Sequence, residues 1–213
     1  MINSGNQENE RTRQKRGQIL DAARRLFLSH GYARTSTEAV RREAGVSKET
    51  LYRYYRTKED LFADVLRRLT LEHLHRPFQA DERLSPTADH KQLQKAVRLL
   101  ASDIVQTMMQ PDYLALLRVV IAESARFPHL GELFRKTVPE QGIAAIAEML
   151  GRLREKGLAA DIDAEAAARM LLGSLLTYAL MDGILISEGN EPRPPSTKRV
   201  AAIADLFVRA IGK

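Results

Sequence analysis

Residues 35–62 read TSTEAVRREAGVSKETLYRYYRTKEDLF, and this stretch decides the fold. It predicts two short helices joined by a turn at Gly45, the pattern of a helix-turn-helix. Ser47 is a favourable N-cap for the second helix. Leu51 and Tyr55 lie four residues apart, so both are expected to face the core. The small and medium apolar residues available to pack the two helices are Ala39, Val40, Ala44, Val46 and Leu51.

The second short helix can present hydrogen-bonding side chains to the major groove of DNA, with its N-terminus leading. Tyr52 and Tyr54 can reach phosphates through their hydroxyls while their rings brace against the protein. Lys58 begins the next helix, where its charge and the free backbone N–H groups both favour a phosphate. By periodicity, the outer side of the second helix carries Ser47, Lys48, Thr50 and Arg53.

Helical periodicity continues through the rest of the chain, and alternating β-branched runs are absent. The expected fold class is therefore all-α, with an N-terminal three-helix helix-turn-helix domain followed by a larger helical domain. The predicted divisions are a disordered tail over 1–10, the helix-turn-helix domain over 11–57, a connecting helix over 58–76 and the helical domain over 77–213.

Basic charge is concentrated at the N-terminal end. Residues 1–76 contain sixteen Lys or Arg against ten Asp or Glu, whereas residues 77–213 contain seventeen of each, so the net charge of +6 lies in the first third. This asymmetry indicates a polyanionic partner or basic helix faces exposed to solvent. Arg11, Arg13, Lys15 and Arg16 precede the first helix and form either an arm that contacts DNA or a solubilising tail.

Several classes of function lose support from the same sequence. The chain has no cysteine, which excludes disulfides and thiolate metal sites and is compatible with a reducing cytoplasm. No HExxH, P-loop or GxSxG motif is present, and His73 and His75 would not share a helix face, so we expect no enzyme, metal or cofactor. The N-terminus lacks the apolar segment of a signal peptide, and residues 171–186 are too polar to span a bilayer.

One alternative uses the same basic third of the chain. A membrane-surface or protein-interaction module built from basic helices explains the charge. It gives no role to the spacing of Tyr52, Tyr54 and Lys58. Binding to duplex DNA in a gel shift, compared with sedimentation with lipid vesicles, separates the two hypotheses.

The stretch AGVSKETLYRYYRTKEDLF resembles the signature of the TetR family of bacterial transcriptional regulators, and the similarity spans about residues 13–70. The resemblance implies a DNA-binding head, a helical regulatory and dimerisation domain, and a cytoplasmic homodimer on a palindromic operator. It also implies a repressor that a small-molecule ligand releases from DNA.

Individual positions carry over from the same resemblance. Lys48, Thr50 and Arg53 match positions of base or groove contacts, and Tyr55 matches a position that is usually a core Phe. Glu49 departs from the pattern, and its carboxylate either accepts from a cytosine or repels phosphate and sets the docking angle. The positions matching phosphate contacts are Thr35, Thr37, Ser47, Tyr52, Tyr54 and Lys58.

Two further sets of residues are expected in the C-terminal domain. Apolar stripes on the last two helices either pack within one subunit or form the dimer interface that the resemblance implies. The candidate interface residues are Ala167, Met170, Leu171, Ser174, Leu175, Tyr178, Val200, Ile203, Ala204 and Phe207. The candidate lining of a ligand pocket is Leu117, Ile121, Phe127, Phe134, Met149, Met170 and Tyr178. Arg118, Glu123 and Asp182 are charges within apolar helices and are expected to be paired, at an edge or in contact with ligand.

Overall fold

The computed structural model describes residues 4–70, 89–186 and 191–212, with side chains from Thr12 onward. All regular structure in these ranges is helical, as expected. The helices are α1 Ser4–Arg34, α2 Thr37–Ala44, α3 Lys48–Tyr54, α4 Lys58–Thr70, α5 His90–Met108, α6 Pro111–Ser124, α7 Pro128–Thr137, α8 Pro139–Glu155, α9 Ala164–Tyr178 and α10 Thr197–Ile211. A π-helical segment, Ala179–Ile184, continues α9.

The N-terminal tail, for which the sequence predicts disorder over 1–10, is described from Ser4 onward. The backbone of residues 4–10 is helical and continues α1, and no proline interrupts it. The four basic residues of the proposed arm therefore lie within α1. The remainder of the connecting segment, 71–76, and most of the predicted loop before α5 lie outside the described residues.

Gly31 interrupts α1 where the sequence predicts a helix end. Its φ of +78° lies in the left-handed region that favours glycine. Hydroxyl side chains set the starts of the next helices. Ser36 caps α2 by accepting a hydrogen bond from the Ala39 N–H, and Ser47 caps α3 in the same way from the Thr50 N–H. The N-cap of α2 is thus Ser36.

The chain forms two compact units, Met1–Arg68 with Ala115–Phe134, and Leu69–Leu114 with Arg135–Lys213. The first unit contains the helix-turn-helix together with parts of α6 and α7. We had expected those parts in the C-terminal domain. In its core, Phe27 and Phe62 meet edge to face with ring centroids 5.0 Å apart, and Tyr32 contacts both rings. Leu51 of α3 is also buried in this unit.

The second unit is a helical bundle in which α5 packs on α10 and α9 packs on α8, α10 and α5. Arg98 of α5 and Asp205 of α10 form a two-pronged ion pair with N–O distances of 2.7 and 2.6 Å. Gly183 lies against Leu114, where an added Cβ would come within 2.7 Å of a methyl carbon. A side chain at position 183 would therefore separate these segments.

The predicted dimer stripe is only partly exposed. Six of its ten residues are buried within their own subunit, where α9 packs on α8, α10 and α5, and α10 packs on α9 and α5. Met170 is exposed, and Ser174, Tyr178 and Ile203 are half-buried. The six residues that cannot be offered to a second subunit in this conformation are Ala167, Leu171, Leu175, Val200, Ala204 and Phe207.

Replacement of Phe62 by Ala should destabilise the first unit strongly. Loss of a fully buried ring leaves a cavity and removes two ring contacts, so the free energy of unfolding should fall by about 3–5 kcal/mol. Denaturant unfolding measures this change. Leu99→Ala is the control, because Leu99 is 57% exposed and should change stability by less than about 0.5 kcal/mol. Equal effects of the two variants would show that Phe62 does not anchor a packed core.

Candidate nucleic-acid interface

The recognition surface is formed by α3, a helix of seven residues. Its inner side is fixed by Leu51, which is 1% exposed, and by Tyr55 immediately after its last residue, which is 3% exposed. Both ends are set by hydrogen bonds: Ser47 caps the start, and the Tyr55 N–H donates to the Leu51 carbonyl at 2.9 Å. The opposite side of α3 is consequently presented to solvent.

Most of the predicted base-contact residues lie on that exposed side. Lys48, Glu49 and Arg53 are exposed, and Tyr52 is 44% exposed. Lys48 Nζ lies 6.0 Å from the centroid of the Tyr52 ring, so these side chains are neighbours. They combine cationic, anionic and aromatic groups on the exposed side of one short helix, the chemistry that reads base edges and grips phosphates.

Ser47 and Thr50 are exposed and half-buried, respectively, and their hydroxyls are paired with each other. The Ser47 hydroxyl donates to the Thr50 hydroxyl oxygen at 2.8 Å and accepts from the Thr50 N–H at 3.1 Å. The Thr50 hydroxyl hydrogen is still available to donate to a base or phosphate. Thr37, in the first turn of α2, is half-buried.

The structure places Thr35 inside the protein, contrary to its predicted phosphate contact. It is 2% exposed, and its hydroxyl lies within hydrogen-bond distance of the Leu26 and Gly31 carbonyls, at 3.1 and 2.8 Å. Those carbonyls belong to the turn of α1 that leads into the break at Gly31 and to Gly31 itself. The side chain therefore closes α1. The neighbouring Ser36, which caps α2, is the exposed hydroxyl.

Two other predicted phosphate contacts are turned toward the protein. The Tyr54 hydroxyl is buried and makes no hydrogen bond with any residue that the structure describes, and the Arg53 guanidinium lies 5.3 Å from the Tyr54 ring centroid. Lys58 Nζ lies 4.1 Å from the Tyr32 ring centroid and 3.5 Å from the Ala33 carbonyl oxygen. Partial burial lowers the pKa of Lys58, against the opposing influence of Glu123 and Glu59. Each side chain must turn outward before it can contact a phosphate.

A carboxylate network holds the far end of α3. Asp64 of α4 is 7% exposed and accepts from the Tyr55 hydroxyl at 2.8 Å and from Arg16 of α1 at 2.6 Å. Arg67 pairs with its other oxygen. Burial alone would raise the pKa of Asp64, but the hydrogen bonds from Arg16 and Tyr55 outweigh it, and the pKa lies below its ordinary value. Arg16 is therefore engaged within the protein.

A second polar cluster joins the turn after α1 to α6 and α7. Glu123 accepts a hydrogen bond from the Ala33 N–H at 2.8 Å, which satisfies the pairing expected for this charge. The same carboxylate would lie 2.6 Å from a Cβ at Gly31, so glycine also permits this approach. Tyr32 donates to Glu59 at 2.8 Å and contacts the rings of Phe127 and His129.

The candidate ligand residues are distributed over both units. In the first unit, Leu117 is buried, Ile121 is 53% exposed, and Phe127 and Phe134 are half-buried. In the second, Met149 is buried, Met170 is 45% exposed and Tyr178 is half-buried. The exposure of Ile121 and Met170 does not favour a role in an enclosed pocket. Arg118 is exposed, and Asp182 is half-buried.

Comparison with known proteins decides the family. Residues 19–65 match the profile of bacterial regulatory proteins of the tetR family, and residues 92–212 match the C-terminal domain of AefR-like transcriptional repressors. The chain belongs to the TetR family. It is therefore a DNA-binding transcriptional regulator and not an enzyme, as the sequence predicts.

The similarity to individual relatives covers nearly the whole of this chain. The transcriptional repressor Rv1474c of Mycobacterium tuberculosis is 26% identical over 199 residues, 92% of each chain. The structure of a TetR-family regulator from Mesorhizobium loti has a TM-score of 0.70 and 28% identity, covering 94% of this chain and 96% of its own. The flavonoid-responsive regulator FrrA has a TM-score of 0.67 and 28% identity, with 93% and 97% coverage.

The stability of the protein should fall in acid through Asp64. Its pKa is depressed in the folded state, so the stabilisation is present above the ordinary aspartate pKa of about 3.9 and is lost as the pH falls through the folded-state pKa. Thermal unfolding from pH 6 to about pH 3 measures this. The difference in midpoint between wild type and Asp64→Asn should shrink across that range. A constant difference would show that Asp64 is not held ionised by its partners.

Proposed function

We propose that the protein is a repressor that binds a palindromic operator as a homodimer and leaves it when a small molecule binds. The observation that carries the DNA-binding mode is the arrangement of α3, with Leu51 and Tyr55 buried on one side and Lys48, Glu49 and Tyr52 on the other. A short helix held in this way can lead into the major groove with its N-terminus. This mode gives a role to the basic N-terminal third of the sequence.

Lys48 and Arg53 are the side chains we assign to base or groove contacts, together with Thr50. Glu49 sets the docking angle or accepts from a cytosine. Phosphate contacts are assigned to Ser47, Tyr52 and Thr37, and to Tyr54 and Lys58 after they turn outward. Ser36 joins this group because it is exposed at the start of α2, where backbone N–H groups favour an anion.

Dimerisation is supported by apolar side chains that the second unit leaves uncovered. Met170 of α9, Met181 of the π-helical segment and Leu206 of α10 are 45%, 66% and 59% exposed. Burial of these residues by a second copy would stabilise the dimer by about 25 cal/mol for each Å² of apolar surface removed from water. The proposed interface therefore uses the outer sides of the same helices that the sequence selected. Two copies place two α3 helices on the two halves of a palindrome.

Ligand control is supported by the hydrogen bond between Glu123 and the Ala33 N–H. It ties the last turn of α6 to the turn that precedes α2, and both belong to one compact unit. A ligand that binds better to a form in which α6 has shifted would displace the helix-turn-helix from its DNA-bound position. About 1.4 kcal/mol of such coupling changes operator affinity tenfold. We place this regulation in the cytoplasm. No helix in the described ranges is both apolar enough and long enough to span a bilayer.

Lys48→Ala should reduce binding to the operator more than binding to unrelated DNA. Loss of a base contact costs roughly 1–3 kcal/mol of discrimination. Fluorescence anisotropy with a duplex selected from the source genome, and with a scrambled duplex of equal length, measures both affinities. Lys95→Ala is the control, because it removes the same charge from an exposed position of α5.

Two results would contradict this assignment. If Lys48→Ala weakens both duplexes by the same factor, Lys48 contacts phosphate and does not read bases. If the wild-type protein does not prefer the selected duplex over the scrambled one at about 50 mM salt, where phosphate contacts are strong, it is not a sequence-specific regulator.

A further inference from the structure

Tyr55 carries a hydroxyl at a buried position, where packing requires only an aromatic ring. It follows α3 directly and is 3% exposed. Burial raises the pKa of the Tyr55 phenol above its ordinary value, so the hydroxyl remains protonated and can donate. A buried phenol that keeps its proton is expected to have a specific acceptor.

The acceptor is Asp64, and Arg16 closes the arrangement. The Tyr55 hydroxyl donates to Asp64 Oδ2 at 2.8 Å, Arg16 Nη2 donates to the same oxygen at 2.6 Å, and Arg16 Nε donates to the phenol oxygen at 3.3 Å. The three side chains therefore form a closed triangle of hydrogen bonds. They come from α1, the end of α3 and α4. Arg16 is 39 positions from Tyr55 and 48 from Asp64, and Tyr55 is 9 positions from Asp64.

This triangle constrains α3 in a way that an apolar contact would not. A phenyl ring in the same space would be held by shape alone, whereas hydrogen bonds fix both distance and direction. The helix has only seven residues and two buried anchors, Leu51 and Tyr55, so the angular position of its outer face depends on both. Base contacts require that face to be placed accurately, while contacts to phosphate tolerate small displacements.

We propose that Tyr55 is a positioning residue for sequence recognition, acting through Asp64 and Arg16 to fix the orientation of the recognition helix α3. Tyr55 touches no DNA in this role. The inference rests on the proposed function, because it concerns how the same helix distinguishes one sequence from another. Arg16, which the sequence analysis grouped with a DNA-binding arm, belongs to the positioning network.

The test compares Tyr55→Phe with Tyr113→Phe in the full-length protein. Each variant removes one hydroxyl from a buried tyrosine, but Tyr113 belongs to the second unit and is 5% exposed there. Affinities for the selected duplex and the scrambled duplex are measured at several salt concentrations. For Tyr55→Phe we expect about a tenfold loss on the selected duplex, with the scrambled affinity and the salt dependence unchanged. Tyr113→Phe should change none of these quantities.

A double-mutant cycle tests whether the effect passes through Asp64. In the Asp64→Asn background, the further change Tyr55→Phe should cause little additional loss of selectivity, because the acceptor that gave the hydroxyl its role has been altered. A full additional tenfold loss would overturn the mechanism. Denaturant unfolding of each variant at the binding temperature verifies that the folded population is the same.

The outcomes separate this inference from the function on which it rests. A wild-type protein that does not discriminate between the two duplexes overturns both. A selective wild type whose Tyr55→Phe variant is equally selective overturns only the positioning role. Equal losses on the two duplexes would also overturn it, because they would show a general loss of binding-competent protein.

Discussion

The structure of the DNA-binding unit depends on the packing that holds α3 against its neighbours. A helix of seven residues is far below the length at which isolated helices persist in water. Its conformation is supplied by the burial of Leu51 and Tyr55 beside a core that contains Phe27 and Phe62. The same packing determines which side chains of α3 remain outside, so recognition chemistry follows from the core.

Local signals in the sequence predicted much of this fold. Gly45 ends α2 with a positive φ, and Ser47 caps α3, both as expected. These features depend on residues within a few positions of each other, where propensity and capping chemistry act directly.

Features that depend on distant residues were not predicted. A hydroxyl can bind phosphate or a neighbouring carbonyl, and only the approach of the end of α1 decides that Thr35 turns inward. An apolar stripe likewise requires burial without naming the surface that covers it. The sequence therefore left open whether the stripes on α9 and α10 pack within one subunit or against a second, and six of the ten residues are buried within their own subunit. Asp64 gave a local signal, an acid within the apolar run LFADVL, but its partners lie elsewhere in the chain.

Hydrogen exchange measured with and without duplex DNA tests the central claim most directly. Amide protons exchange more slowly where a bound partner excludes water or prevents local opening. The account predicts that DNA slows exchange in the starts of α2 and α3, including Ser47 to Thr50, and leaves the outer sides of α8 and α9 unchanged. Slowing confined to the second unit, with α3 unaffected, would contradict it.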